Sequence, residues 1–209
     1  MRTNELNKID KLLFSIEDIS KSLSISKESA KVTANRYVKQ NFLIRVKRNY
    51  YITASNFEKL NEPDLFRLAN LIQVPSYISL TCALSFYGVS TQQLQDVIES
   101  ISLNRTKISN VKKIAFQYFK LKKPFYSNFI RNDNIFIATV EKSLADAIYL
   151  TSIGKYNCDF DAVDFSKINK SEITKYHKSC FSNDGFMTAI GIAIFVYFIY
   201  CFWSVWNTE

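Results

Sequence analysis

One histidine and four glycines, set against 27 lysines and arginines, limit the chemistry open to this 209-residue chain. A lone His177 excludes an HExxH zinc site and any mechanism that needs two imidazoles. With glycine only at 88, 154, 185 and 191, neither a P-loop nor a GxGxxG turn can be written. His177 and Cys180 stand three apart, but no fourth ligand completes a metal pattern with Cys158. Asp159, Asp161 and Asp164 lack the glycine and glutamate positions of a calcium loop and read as a solvated turn. Glu141 and Asp146, five apart, do not share a helical face, so Glu141 reads as a helix-start cap or ion-pair partner. The inventory disfavours an enzyme, and no catalytic residue, metal or cofactor is expected.

What remains is neutralisation of phosphate. Residues 1–53 carry eleven basic and five acidic side chains, a net +6 of the chain's +8, and the other 156 residues contribute only about +2. Lysine and arginine against phosphate supply the sequence-independent part of DNA affinity, so an excess gathered in one small module tells more than a high pI. The plainer reading is that these charges solvate helices.

The elements that must position these cations can be read in order. Leu6, Ile9, Leu12 and Leu13 signal a first helix. Ser15, with Asp18 three residues on, caps a second helix from Ile16 to about Leu23. After a Ser24-Ile25 turn, Ser26 caps a longer helix to about Gln40. Phe42 to Thr53 alternates and turns back around Lys47-Arg48-Asn49. Together they predict a winged helix-turn-helix, a device for holding double-stranded DNA. The third helix should bury Ala30, Ala34, Tyr37 and Val38. Lys27, Ser29, Lys31, Thr33, Asn35 and Arg36 then face outward or flank that stripe. Arg36 can pair with guanine and Asn35 with adenine, while Lys27 and Lys31 suit phosphates. Ser26 and Ser29 suit either capping or phosphate contact. Lys47, Arg48 and Asn49 sit where a hairpin tip reaches the backbone or minor groove. Tyr50 and Tyr51 point to opposite faces of their strand, with Tyr50 as the DNA-facing one.

Beyond Thr53 the pattern changes. Asn56 to Gln73 reads as helical with Pro63 near the start of a new turn, and Val74-Pro75 breaks it. Tyr77 to Tyr87 reads as a short extended stretch entering a helix that Gly88 ends. Val97–Leu103, Ile114–Leu121 and Ile135–Ala138 read as strands, and Thr139 to Thr151 as a helix. Lys112, Lys113, Lys120, Lys122 and Lys123 flank the middle strand as a basic surface, with a solvated face as the simpler reading. The fold class is α+β. A winged helix-turn-helix occupies 1–55, a small α+β domain 56–184, and a hydrophobic tail 185–209. The scattered cysteines, Cys82, Cys158, Cys180 and Cys201, fit reduced thiols in a cytoplasmic protein, and Met1 to Asp10 is too polar for a signal peptide.

Three segments carry a resemblance. Leu43 to Ile52 (LIRVKRNYYI), Ser76 to Gly88 (SYISLTCALSFYG) and Ala138 to Leu150 (ATVEKSLADAIYL), in this order, resemble the wing, the Ser-x-x-(Ser/Ala)-Ala-Leu-x-x-(His/Tyr)-Gly segment and the Glu-Lys-Ala-Leu-x-Asp helix of the AbiE-type antitoxins. These are AbiEi-like transcriptional regulators of type IV toxin–antitoxin, or abortive-infection, systems. The resemblance covers roughly residues 5 to 165. It implies a repressor that binds its own promoter at inverted repeats and opposes a nucleotidyltransferase-like toxin, with or without touching it. Where the family often has glycine at the wing tip this chain has Asn49, which tolerates positive φ. The larger departure is Phe186 to Trp206, twenty-one residues without a formal charge. At 1.5 Å per residue such a run spans a bilayer core of roughly 30 Å. Three readings stand: a transmembrane anchor on the inner face of the cell membrane, a tail altered by frameshift, and a buried terminal helix. Three functions follow: a DNA-binding repressor and antitoxin, a membrane-tethered DNA-binding regulator, and a winged module that binds protein instead.

Overall fold

The computed structural model describes residues 3–169 and 171–173 and is α+β, with helices packed on two sheets. The chain opens with α1 (Thr3–Asn7), β1 (Phe14–Ser15), α2 (Ile16–Leu23), α3 (Lys27–Lys39) and a hairpin of β2 (Leu43–Lys47) and β3 (Tyr50–Thr53). A three-stranded antiparallel sheet runs β1-β3-β2. Leu6, Phe14, Ile16, Ile19, Leu23, Ala30, Ala34, Tyr37, Leu43 and Tyr51 close one small core. The caps are those the spacing predicts. Ser15 accepts from the Asp18 amide at 3.2 Å while Asp18 accepts from the Ser15 amide at 2.7 Å. Lys11 braces Asp18 at 2.6 Å. Asn49 takes φ 64 at the hairpin tip, a conformation asparagine accepts at small cost.

The first helix differs from expectation. It ends at Asn7, and Leu12 and Leu13 leave it to pack on a second core. That core is shared across the expected boundary near residue 55. It joins Ile44, Val46 and Ile52 of the hairpin to Phe57 of α4 (Ala54–Phe57) and Phe66, Leu68, Ala69 and Ile72 of α5 (Glu62–Ile72). The helical stretch expected over 56–73, with Pro63 near a new turn, is two helices: Asn61 accepts from the Asp64 amide and Pro63 lies in the first turn of α5.

A six-stranded mixed sheet follows, in the order β6-β7-β5-β4-β9-β8. Its strands are β4 (Ser76–Ile78), β5 (Val97–Ser102), β6 (Lys107–Val111), β7 (Ile114–Lys120), β8 (Phe129–Asn132) and β9 (Ile135–Ala138). One face carries Ile78, Ile98, Phe116 and Tyr118 onto α5 and the hairpin. The other carries Tyr77, Ile101, Leu121 and Ala138 onto α6 (Leu80–Phe86) and α7 (Val140–Ser152). Each buried side chain of this size contributes roughly 1.5–3 kcal/mol. No helix among the described residues is long and apolar enough to cross a membrane. The run 186–206, with His177, Cys180 and Cys201, lies outside the described residues.

Candidate nucleic-acid interface

Ala30, Ala34 and Tyr37 turn one stripe of α3 inward, and Val38 is half-buried beside them. The opposite face is therefore solvent-exposed, and it holds Lys31, Val32, Asn35 and Arg36. At the start of α3 the Ser26 side chain accepts from the Ser29 amide at 3.2 Å and its hydroxyl donates to Ser29 Oγ at 3.1 Å. Both serines stay exposed, so capping leaves their outer surfaces open. Lys27 reaches back to Glu17 at 3.3 Å. Glu17's carboxyl sits below its ordinary range, first through a backbone hydrogen bond at the helix start and then through Lys27. The pair is open to water and a phosphate can displace it at little cost.

Asn35 accepts a hydrogen bond from the Arg45 guanidinium, which also lies 5.7 Å from the Tyr51 ring centroid. Arg45 thus bridges helix and hairpin, and the sequence reading left it off the candidate list. The signal was present: in β2, Ile44 and Val46 are buried and Arg45 between them faces out. Arg36 lies 5.5 Å from the Tyr37 ring centroid.

At the hairpin tip the expected residues separate. Arg48, Asn49 and Tyr50 are exposed, and the Asn49 carbonyl accepts from the Ile16 amide at 3.2 Å. Tyr51 is buried. Lys47 turns the other way. Its ammonium donates to the Leu71 carbonyl in the last turn of α5 at 2.6 Å and sits 4.6 Å from the Tyr50 ring centroid. Burial lowers its pKa. The structure thus gives Lys47 a tie between hairpin and α5, while Lys31, Arg36, Arg45 and Arg48 stay on the outer surface.

Comparison with known proteins finds no matching family model, curated protein or solved structure. The reading of this surface rests on its own geometry.

The second group of lysines is not one surface. Lys112 and Lys113 form the turn into β7, paired with Glu58 at 3.7 Å and Asp96 at 3.4 Å. Lys120, Lys122 and Lys123 follow its far end, roughly 20 Å away at about 3.3 Å per residue. The acidic cluster is local capping: Asp159 accepts from the Asp161 amide, and Asp164 from the Ser166 amide. Glu141 accepts from the Asn169 amide at 3.4 Å.

A polar constellation inside the larger sheet went unread in the sequence. Lys142 and Asp146, four apart on α7, form a buried ion pair. The same carboxylate accepts from the Tyr77 and Ser79 hydroxyls, each at 2.9 Å. Ser79 precedes α6 without capping it by its side chain, since its hydroxyl is drawn to Asp146, and Leu80 next to it holds φ 58. Such a φ costs a leucine on the order of 1–2 kcal/mol. Two residues on, the Thr81 amide and the Tyr156 hydroxyl donate to buried Glu99 at 3.1 and 3.0 Å. Burial outweighs these bonds and pushes the Glu99 carboxyl up to about 7.

Proposed function

We propose that the chain is a winged-helix DNA-binding regulator that represses its own operon and serves as the antitoxin of a toxin–antitoxin pair. One observation carries the DNA half. The outer face of α3 and the adjoining hairpin surface expose Lys31, Arg36, Arg45 and Arg48 over a buried apolar stripe. The helix enters the major groove, Arg36 meets a base edge, and Lys27, Lys31 and Arg45 meet phosphates. Arg48, Asn49 and Tyr50 at the tip follow the backbone. Two copies on inverted repeats suit such a module.

The antitoxin half rests on the resemblance. In support, two of its three segments meet at one carboxylate: Tyr77 and Ser79 from the first bond Asp146 of the other. The partner is a nucleotidyltransferase-like toxin. The test is a gel-shift titration of the full chain against its own upstream DNA at two salt concentrations, with unrelated DNA as competitor. The expected result is selective retention that weakens with salt, and no selective binding by a folded chain overturns the reading. Growth rescue on co-expression with the adjacent gene product tests the second half.

The uncharged run 186–206 favours one variant of this reading, a regulator in the cytoplasm held on the inner face of the membrane. Membrane fractionation with and without residues 186–209 separates the two.

A further inference from the structure

Val32 is 69 % exposed, the most open of the large exposed hydrophobic side chains among the described residues. It stands across α3 from Ala30, Ala34 and Tyr37, at the middle of the outward face. Its helical neighbours there, at i−4, i+3 and i+4, are Glu28, Asn35 and Arg36. Nothing in the fold rewards a valine at this place. A β-branched residue loses rotamer freedom in a helix, and this one has no packing in return. Of the neighbours expected to read bases, Asn35 is already engaged. The Asn35 side-chain oxygen accepts from Arg45, so Asn35 cannot offer its full fork to adenine without releasing that bond. Arg36 lies 5.5 Å from the Tyr37 ring centroid but stays exposed, and keeps the base contact given to it above. On this face Lys31 and Lys39 suit phosphates, Glu28 lies one turn before Val32, and Val32 itself can meet only an apolar group. In the major groove that group is the C5-methyl of thymine.

We propose that Val32 packs on the C5-methyl group of a thymine in the bound sequence and is the specificity-determining side chain at that base pair. The inference rests on the DNA reading above and sharpens it. The test titrates the full chain against its own upstream DNA with each thymine replaced singly by deoxyuridine, which removes the methyl and nothing else. One such replacement in each half-site should weaken binding about fourfold, the equivalent of one buried methyl-sized group. Val32→Ala should weaken binding to thymine DNA, shrink the difference between the two DNAs, and melt at the same or a higher temperature, since alanine is the better helix former. Selective binding that is indifferent to every thymine-to-uracil change overturns the Val32 proposal and leaves the DNA reading standing. Uracil sensitivity undiminished in Val32→Ala also overturns it. Failure of the wild-type chain to retain its own upstream DNA overturns both.

Discussion

The α3–hairpin surface and the interior of the larger sheet use the same kinds of side chain in opposite ways. On the surface, Lys31, Arg36, Arg45 and Arg48 are open to water, and the one ion pair at the start of α3, Lys27–Glu17, is solvated. Such charges cost little to keep and little to remove, which leaves them free for a partner. Inside, Lys142 and Asp146 are each 3 % exposed and every bond they make is within the fold. A buried charge is tolerated only with its partners, so one deletion there strands the others. The proposed binding chemistry and the structural chemistry are thus separated in space, and mutations should separate them in effect.

Ending the chain at residue 55 should cost more than any point substitution. Ile44, Val46 and Ile52 lose the covering of α5, at roughly 1.5–3 kcal/mol each, and amide NMR of that fragment should show no dispersed spectrum. Among point substitutions the sharpest break is Asp146→Ala. It leaves the Lys142 ammonium buried and takes the acceptor from Tyr77 and Ser79. A loss of about 3–5 kcal/mol is expected in urea unfolding, with much of it recovered in the double variant Lys142→Met/Asp146→Leu.

Glu99 gives a pH signature. Its folded pKa of about 7 lies above its ordinary 4.5, so the folded chain holds the extra proton between these values. Stability should therefore fall as pH rises from about 4.5 through 7, by on the order of 3 kcal/mol. Glu99→Gln should flatten that slope in thermal melts, and a slope unchanged in the variant would assign the titration elsewhere.

Smaller effects belong to the surface. Lys31→Gln or Arg48→Gln should leave the melting temperature alone and reduce the salt dependence of DNA binding by about 0.9 in log–log slope. Lys47→Gln should differ from Arg48→Gln, costing about 0.5–1.5 kcal/mol of stability through the lost bond to Leu71. Equal behaviour of these two variants would erase the distinction between tie and contact.

Local signals were the legible part of the fold. The Ser15/Asp18 box, the Ser26 cap, the Ala30–Ala34–Tyr37 stripe and the Asn49 turn each follow from a few neighbouring residues and stand as expected. So do β9 and the alternation in β7. β6 and β8 were missed because KISNV and FIRN on sheet edges carry little apolar periodicity. The run from Leu6 to Leu13 misled because Leu12 and Leu13 serve a core built by residues some fifty positions away. At the candidate site, residue types were legible but pairings were not. That Asn35 holds Arg45 and that Lys47 faces α5 depends on strand twist and on a neighbour distant in sequence. The Lys142–Asp146 pair was open to an i, i+4 reading and was passed over for Glu141.

Thr53 has a consequence for how the chain can be cut and lengthened. It is at once the last residue of β3 and the cap of α4, its hydroxyl accepting from the Asn56 amide at 3.3 Å. A residue that ends one element and begins the next leaves no spare chain for a protease to grip or for an insertion to occupy. The hairpin and α4 are therefore spliced without a linker, and two glycines inserted after Thr53 should be rejected where the same pair in an exposed turn such as Asp133-Asn134 is absorbed.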